Sequence, residues 1–380
     1  MRYFGFEVSD EEAQIAEVAA DLAARVVAPG AAERDRTGRF PTEILSELAG
    51  LGFLAMKVSP RDGGAGLSNV GYALAMQAIA RACASTAVVL ASSNLTAKIL
   101  AEHATGEQRT RILERYARGE LGPGSFALTE PGGGSDAAAI RMRATLDGDS
   151  WILDGEKVWI TSATHAGFHL VFARSDGEGK DGISCFLVER GTPGLTIGRE
   201  EDKMGQRSSG TATLAFEACR IPASLLVGRR GGGYGIALSA LGGGRVGIAA
   251  LSLGIAEAAY AAGVSYARER VVFGKPLTAM QNTQFVLADS RTELDASWLL
   301  MLRAARALDA GERAGSECSM AKLFATEACG RVVDRMLQLH GGYGYSREFP
   351  IERLYRDARV TRIYEGTNEI QRLVIAREIV

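Results

Sequence analysis

The sequence predicts a mainly α-helical protein with a central β domain, because its hydrophobic period changes twice along the chain. Apolar residues recur at helical spacing up to about residue 120, and a period of two replaces this spacing in the middle of the chain. Helical spacing returns at Gly235. We therefore expect an N-terminal helical domain over residues 1–121, a central β domain over 122–232 and a C-terminal helical bundle over 233–380.

The N-terminal helices are predicted from their start and stop signals. Ser9 and Glu12 match a capping box, in which each residue's side chain bonds the other's backbone at a helix start. Phe40-Pro41 opens a second helix that stops at Gly50. Further helices are predicted over residues 69–102, as one or two packed helices, and over 108–117.

The middle segment alternates apolar and polar residues between turns rich in glycine and charge, which is typical of a compact antiparallel β domain. The candidate strands are residues 141–146, 151–156, 168–173, 183–188 and 211–216. The segments after Gly235 are Ala-rich or amphipathic, as helices of a bundle are. These helices are predicted over residues 236–268, 280–310, 317–339 and 368–379.

Composition excludes several classes of function. The chain has 380 residues and a net charge of −2 without a long basic run, so we expect no nucleic-acid or membrane partner. Its mean hydropathy is +0.02, and the most apolar region, 236–264, is interrupted by Arg245 and Glu257, which indicates a buried helix. The start lacks an apolar signal-peptide core, and five cysteines show no pairing pattern. A cytoplasmic location is expected.

Two sequence patterns suggest sites that their context does not support. His165 and His169 are four residues apart, but they lie where a loop runs into a strand, without a Cys or carboxylate to complete a metal site. We expect surface or loop histidines and no metal. Gly242 to Gly247 matches the dinucleotide fingerprint but lies in a helical run without a βαβ unit, so we reject that interpretation.

The strongest candidate for chemistry is Tyr364-Glu365-Gly366-Thr367. It places a carboxylate between an aromatic ring and a glycine, at a break before a new helix. Such a carboxylate can act as a base with a raised pKa. The alternative for this segment alone is a turn with a solvated glutamate.

Four other stretches offer binding groups, and each has a simpler structural alternative. The glycine turn in 126–136, with Ser135, could cradle a diphosphate or be only a turn. Trp159 and Thr161 would share one face of a strand and could flank a planar ring, or the indole could be a core residue. Residues 266–276 and 338–344 place polar side chains at helix ends, where an anion could be held, or are ordinary helix stops.

Together these stretches resemble the acyl-CoA dehydrogenase family of flavoproteins, essentially from end to end. The resemblance is carried by Leu-Thr-Glu-Pro-Gly-x-Gly-Ser-Asp (128–136), Trp-Ile-Thr (159–161), Arg-x-x-Phe-Gly (270–274), Gln-x-x-Gly-Gly (338–342) and Tyr-Glu-Gly-Thr (364–367). It implies a four-helix bundle as the C-terminal domain, usually a homotetramer, and FAD bound between the β domain and the bundle.

The resemblance also implies the residues that hold FAD. The flavin ring and diphosphate would be bound by Phe126, Leu128, Thr129, Gly134, Ser135, Trp159, Thr161, Thr367 and Glu369. A neighbouring subunit's FAD would be bound by Arg270, Phe273, Gln281, Gln338, Gly341 and Gly342. Substrate would contact Ser135, Arg245, Tyr364 and Gly366.

By the same resemblance, Glu365 would be the catalytic base that takes the α-proton of an acyl-CoA thioester. The β-hydrogen would leave as hydride to flavin N5, and electrons would pass to an electron-transfer flavoprotein. Some relatives carry the base just before the arginine that matches Arg245, but here that position is Gly244. Relatives that oxidise nitroalkanes use Asp as the base. On both points the chain resembles a short- or medium-chain acyl dehydrogenase.

One position departs from the family pattern. Many relatives carry Asp where this chain has Gly242, and that Asp usually helps to hold the pantetheine arm. This leaves open the same reaction on an acyl group bound to an acyl carrier protein. A non-catalytic flavin-binding relative is the third alternative, which the retention of Glu365, Arg270 and the glycine turn argues against.

Overall fold

The N-terminal part of the chain is helical in the computed structural model, which describes residues 2–3 and 6–380. The predicted capping box is confirmed: Glu12 N donates to Ser9 Oγ at 3.1 Å and Ser9 N donates to Glu12 Oε2 at 2.9 Å. A two-stranded hairpin precedes these helices, β1 Arg2–Tyr3 and β2 Phe6–Glu7. The helices are α1 Asp10–Leu22, α2 Ala31–Thr37, α3 Thr42–Gly50, α4 Asn69–Ala82, α5 Ala84–His103, α6 Gly106–Gln108 and α7 Glu114–Ala117.

The central domain is an eight-stranded sheet. Its strands are β3 Gly124–Ala127, β4 Arg143–Asp147, β5 Ser150–Ile160, β6 Phe168–Arg174, β7 Ile183–Glu189, β8 Leu195–Glu200, β9 Ala212–Pro222 and β10 Leu226–Val227. Their order is β10-β7-β6-β4-β5-β9-β8, and β3 pairs with β6.

The sheet is not wholly antiparallel, so that expectation is corrected. β3 runs parallel to β6, with Gly124 opposite Phe168 and Ala127 opposite Val171. Local alternation identifies a strand but does not carry the direction of its partner, which depends on long-range packing. The strand β8 was also not predicted; it lies at the sheet edge, where only alternate residues are half-buried.

The C-terminal domain is a helical bundle, and its fold class is as predicted. The helices are α8 Gly233–Glu269, α9 Gln281–Asp309, α10 Gly315–His340, α11 Ile351–Arg359 and α12 Asn368–Ala376. A short hairpin, β11 Val271–Val272 and β12 Lys275–Pro276, joins α8 to α9. The helix α11 was not predicted, because its charged residues conceal a narrow apolar stripe formed by Ile351, Leu354 and Ala358.

The helix α8 is the centre of the packing, since α10, α4 and α9 all lie against it. Its residues 246–256 are buried. By length and composition alone, α5 and α8 could each cross a membrane. However, 89% of the apolar window of α5 and 72% of that of α8 are buried inside the molecule, as expected for core helices.

The glycine turn after β3 is anchored by Glu130. Its carboxylate accepts hydrogen bonds from Lys157 Nζ at 2.7 Å, Arg141 N at 2.6 Å and Met142 N at 3.0 Å. Val158 N also donates to Thr129 O at 2.9 Å. These bonds fix the end of β3 against β5, so that residues 126–129 and 157–161 form one edge.

Candidate active site

Glu365 lies in a short loop between a 3₁₀ turn, Val360–Arg362, and α12. Its backbone is left-handed, with a φ of +52°, and Gly366 follows with a φ of +87°. The left-handed region is unfavourable for a residue with a Cβ atom, so the loop needs support from its neighbours. Thr367 then caps α12, its hydroxyl accepting a hydrogen bond from Ile370 N at 3.4 Å.

Two buried side chains hold this loop. Lys322 of α10 is fully buried, and its Nζ donates to Gly366 O at 3.0 Å and to Asn368 Oδ1 at 2.9 Å. Gln371 Nε2 donates to Gly366 O at 2.8 Å and to Glu365 O at 3.4 Å. The carbonyl groups of both left-handed residues, Glu365 and Gly366, are therefore held by side chains from the neighbouring helices.

The Glu365 carboxylate combines burial with an unfilled hydrogen-bonding position. Its Oε2 atom is buried and has no hydrogen-bond partner within the described residues. Burial raises the pKa of Glu365 to about 7, although the positive charges of Lys322, Arg245 and Lys57 act to lower it. Its carboxylate is thus close to half-ionised at neutral pH.

The helix α8 forms the wall opposite this carboxylate. A Cβ atom placed on Gly244 would lie 2.6 Å from Glu365 Oε2 and 3.6 Å from Leu95 Cδ1. A contact under 3.0 Å is too close, so a side chain at this position would have to displace the Glu365 carboxylate. The Glu365 carboxylate thus lies directly against Gly244 and near Leu95, and we call the place where these three residues meet the gap.

Arg245 and Tyr364 border the same gap and have partners of their own. Arg245 is buried, its Nη1 donates to Ser319 Oγ at 3.0 Å, and its Nε has no partner within the described residues. Tyr364 OH accepts a hydrogen bond from Gln206 Nε2 at 3.2 Å. The structure therefore brings four of the predicted residues together: Glu365, Arg245, Tyr364 and Gly366.

The predicted flavin residues of the sheet lie along the edge defined above. Phe126 is half-buried against Phe172, with ring centroids 4.9 Å apart, and Leu128 is buried. A Cβ atom placed on Gly134 would lie 3.2 Å from Thr129 side-chain atoms, which puts the glycine turn beside this edge. Ser135 is exposed in that turn.

Trp159 and Thr161 do not lie on a regular strand, which the prediction of a shared strand face assumed. Trp159 has a φ of +61°, and the pairing of β5 with β9 shifts register between Lys157 and Ile160. Thr161 lies beyond the end of β5. The alternation of residues i and i+2 fails here because the bulge turns the strand. The bulge leaves the indole 61% exposed instead of in the core.

The residues predicted to reach a neighbouring subunit's cofactor form a separate region. Arg270, Gly341 and Gly342 line one cavity of about 440 Å³, and the Arg270 guanidinium lies 5.6 Å from the ring centroid of Tyr343. Phe273 is 97% exposed with a φ of +49°. Gln281 and Gln338 are exposed as well.

Two aromatic rings in left-handed backbone, Trp159 and Phe273, suit a planar heteroaromatic group, because the described residues leave most of each ring exposed. Glu369, also predicted in the flavin pocket, has a side chain 78% exposed and lies 3.9 Å from Arg372. Its neighbour Thr367 serves as the α12 cap. These residues fit a cofactor with one flat ring and an anionic tail.

The histidine prediction is half wrong. His169 is fully buried in β6, where its Nδ1 lies 2.6 Å from Ser125 Oγ, so it is a core residue instead of a loop one. His165 is exposed and stacks on Phe40 at 3.9 Å between ring centroids. Within the residues that the structure describes, no group of three or more His, Cys, Asp or Glu could hold a metal ion.

Sequence reasoning missed Lys322, Gln371 and Gln206, which hold the loop and the Tyr364 ring. A signal for Lys322 existed: it lies in a helical stripe of small residues with Cys318, Ala325 and Cys329, which predicts burial. A lysine in such a stripe must bond to something inside the fold. No comparable local signal marks Gln206, whose role depends on contacts with a distant segment.

Three domain families match the chain in order. They are the acyl-CoA dehydrogenase N-terminal domain over residues 9–120, the middle domain over 125–219 and the C-terminal domain over 231–380.

Relatives of known name match over nearly the whole chain. The mitochondrial short-chain specific acyl-CoA dehydrogenase of Homo sapiens is 45% identical over 376 residues, 98% of this chain and 91% of its own. The butyryl-CoA dehydrogenase structure from Megasphaera elsdenii has a TM-score of 0.95 at 37% identity, covering 98% of this chain and 99% of its own.

A further similar structure comes from work on the electron transferring flavoprotein of Acidaminococcus fermentans and flavin-based electron bifurcation. It has a TM-score of 0.96 at 37% identity and covers 99% of both chains. The order of the three domains and the similarity to these relatives over nearly the whole chain indicate the same family. The chain therefore belongs to the acyl-CoA dehydrogenase family, a family of FAD-dependent oxidoreductases.

Proposed function

We propose that this acyl-CoA dehydrogenase acts on a short-chain acyl-CoA thioester, forming the trans-2-enoyl thioester, with Glu365 as the catalytic base. The observation that supports it most is the buried, unpartnered Oε2 atom of Glu365 facing the glycine wall of α8. The short chain is supported by the human short-chain and Megasphaera elsdenii butyryl-CoA relatives.

The pKa of Glu365 suits this role. A general base is most effective when its pKa lies near the working pH, and burial raises that of Glu365 to about 7. The nearby cations keep part of the population ionised at neutral pH. The empty position at Oε2 then accepts the α-proton without first breaking a hydrogen bond.

The loop also offers donors for the thioester oxygen, where negative charge develops as the α-proton leaves. The backbone N–H groups of Glu365 and Gly366 donate to no acceptor within the described residues. Lys322 and Gln371 fix the adjoining carbonyl groups, so these N–H groups are held in place before substrate binds. Arg245 adds a buried positive charge to the same gap.

FAD, when bound, supplies the hydride acceptor. In this chain the Trp159 indole and the hydroxyls of Thr129 and Thr161 would border the flavin ring, and Ser135 with Gly134 would hold the diphosphate. Arg270, Phe273 and the glycines of 341–342 would serve a neighbouring subunit's cofactor in a homotetramer. The 97% exposure of Phe273 supports that assembly, because an isolated subunit leaves the ring uncovered.

The electron acceptor and the location of the protein are further parts of the proposal. We propose an electron-transfer flavoprotein as the acceptor, as the Acidaminococcus fermentans relative suggests, and a cytoplasmic enzyme whose five buried cysteines stay reduced. We keep the boundaries 1–121, 122–232 and 233–380 for the three domains. Measuring the mass of the purified protein in solution tests the homotetramer. Turnover with added electron-transfer flavoprotein tests the proposed electron acceptor.

The central test is Glu365→Gln, which keeps the shape of the side chain and removes the base. We expect a yellow protein whose flavin is no longer bleached by butyryl-CoA without oxygen, with turnover lower by about 10²- to 10⁴-fold. Glu378→Gln, an exposed glutamate near the same end of the chain, is the matched control. Turnover of Glu365→Gln close to that of the control would contradict the assignment.

The carrier-protein alternative is tested in the same titration. Gly242 has no carboxylate, so it cannot make the contact to the pantetheine arm that relatives make through Asp, and no atom lies within 4 Å of where its Cβ would lie. Bleaching by acyl-carrier-protein substrates but by no acyl-CoA would establish that alternative. Bleaching by acyl-CoA at low concentration would exclude it.

A further inference from the structure

Three consecutive glycines, Gly242 to Gly244, interrupt the side-chain surface of α8 beside the catalytic gap. Glycine is the least favourable helix residue after proline, and α8 remains helical through all three. No atom lies within 4 Å of a Cβ position on Gly242. The missing side chains of Gly243 and Gly244 leave a recess in the helix surface beside the Glu365 carboxylate, which we call the hollow.

Two lysines point into this hollow. A Cβ atom on Gly243 would lie 3.2 Å from Lys98 Nζ and 3.8 Å from Lys57 Nζ. The ammonium groups thus flank one glycine, on the residue adjacent to the one that faces Glu365. The proposed mechanism gives Lys98 no role, and it uses Lys57 only as one of the charges that lower the pKa of Glu365.

These ammonium groups have little neutralisation from the protein. Lys57 lies 4.6 Å from the Tyr72 ring centroid and 3.4 Å from Asn69 Oδ1, and it has no carboxylate within 4 Å in the described part of the chain. Lys98 lies 3.7 Å from Glu102, which is itself exposed. Burial and the charge of Lys98 lower the pKa of Lys57 to about 8, and the charges of Glu102 and Glu365 only partly oppose this shift.

A hydrocarbon chain in this hollow would further desolvate two ammonium groups without giving them a partner, which is costly. A carboxylate would supply the missing charge and accept charge-assisted hydrogen bonds from both. The protein's own carboxylate in the gap, Glu365, is committed to the proton transfer. Glu102 is then the carboxylate left to serve both ammonium groups, and a substrate carboxylate would balance the second positive charge.

We infer that the acyl group carries a second carboxylate, so that the substrate is a short dicarboxylic acid monothioester whose free carboxylate is bound by Lys57 and Lys98. This inference rests on the proposed function and narrows it to one substrate class. The reaction removes a proton from Cα and a hydride from Cβ, and the free carboxylate is unchanged.

The test compares substrates that differ only in a terminal methyl or carboxylate: butyryl- with succinyl-CoA, pentanoyl- with glutaryl-CoA, and hexanoyl- with adipyl-CoA. We expect kcat/KM for at least one carboxylate member to exceed that of its methyl partner by about tenfold or more. Binding of the same pairs to Glu365→Gln, measured by calorimetry, should show the same preference without turnover.

Substitution of the lysines then locates the selectivity. Lys57→Met and Lys98→Met should each reduce the carboxylate-to-methyl ratio by about tenfold, whereas Lys98→Arg should retain most of it. Lys180→Met, at an exposed lysine between β6 and β7, is the control that keeps the ratio. Flavin content and unfolding temperature identify any variant that fails to fold.

The outcomes separate this inference from the proposed function. Bleaching by the methyl members with no preference for any carboxylate member would overturn the inference and leave the function intact. Equal losses for both members of each pair in the lysine variants would also overturn it, because the lysines would then contact the shared CoA portion. If neither class bleaches the flavin, the proposed function itself fails.

Discussion

Two glutamates of the helical bundle, Glu365 and Glu257, have similar burial and opposite roles. Both are half-buried, and burial raises the pKa of both. Glu257 Oε1 accepts a hydrogen bond from Trp298 Nε1 at 2.6 Å, and its Oε2 accepts one from Gln77 Nε2. Glu365 Oε2 accepts none within the described residues.

The difference shows that desolvation alone does not identify a reactive carboxylate. The bonds of Glu257 join α8 to α4 and α9, so this glutamate acts as a structural tie. Glu365 is also desolvated, but its Oε2 atom has no compensating bond within the described residues. The hydrogen-bonding position left open at Glu365 Oε2 therefore distinguishes the reactive carboxylate from the structural one. The substitutions below test this distinction through turnover and through stability.

The largest effect is expected from Gly244→Ala, which fills the gap at the reactive carboxylate. The added Cβ would lie 2.6 Å from Glu365 Oε2 and would displace it, and a displacement of about 1 Å can cost about 10²-fold in rate. Steady-state turnover measures this loss. Gly235→Ala, in the same helix with no atom within 4 Å of the new Cβ, should keep full turnover; equal effects at both glycines would contradict the argument.

A smaller effect, on stability, should separate the two glutamates in the opposite direction. Glu257→Ala removes the two hydrogen bonds that Glu257 accepts from Trp298 Nε1 and Gln77 Nε2, and it should lower the free energy of unfolding by about 1–3 kcal/mol. Glu365→Ala removes a desolvated carboxylate and should cost nothing or stabilise the fold. Denaturant unfolding of the two flavin-saturated variants measures both values. A larger loss for Glu365→Ala would show that its carboxylate has a structural role.

The smallest expected effect is a shift in the pH dependence of kcat/KM. Because the reaction needs ionised Glu365, kcat/KM should fall as pH drops below about 7. Lys322 lowers the pKa of Glu365, so Lys322→Met should raise that pKa and move the acid limb of the profile to higher pH. Turnover across a pH series measures the limb. A loss of kcat without movement of the limb would mean that Lys322 only supports the loop.

The sequence was informative where structure is local. Helical spacing over 236–268 predicted α8 to within three residues at its start and one at its end. The Tyr364 to Thr367 motif located the loop of the reactive glutamate. Hydrophobic period and short motifs depend on neighbouring residues, which a single sequence displays directly.

Features set by distant contacts could not be predicted. The left-handed φ of Trp159 arises from a register shift against β9, and local alternation there suggested a straight strand. The support of Glu365 comes from Lys322, which lies 43 positions earlier in the chain and meets the loop only after α10 and α12 pack. The parallel pairing of β3 with β6 is a similar case.

The left-handed backbone of Glu365 has a consequence for directed evolution. Glycine and asparagine adopt a φ of +52° more readily than glutamate, by about 1 kcal/mol for glycine. Replacing Glu365 with either residue would also remove a desolvated charge. A library screened for heat resistance alone would therefore enrich inactive proteins with a changed residue 365, and only selection for turnover would keep the glutamate.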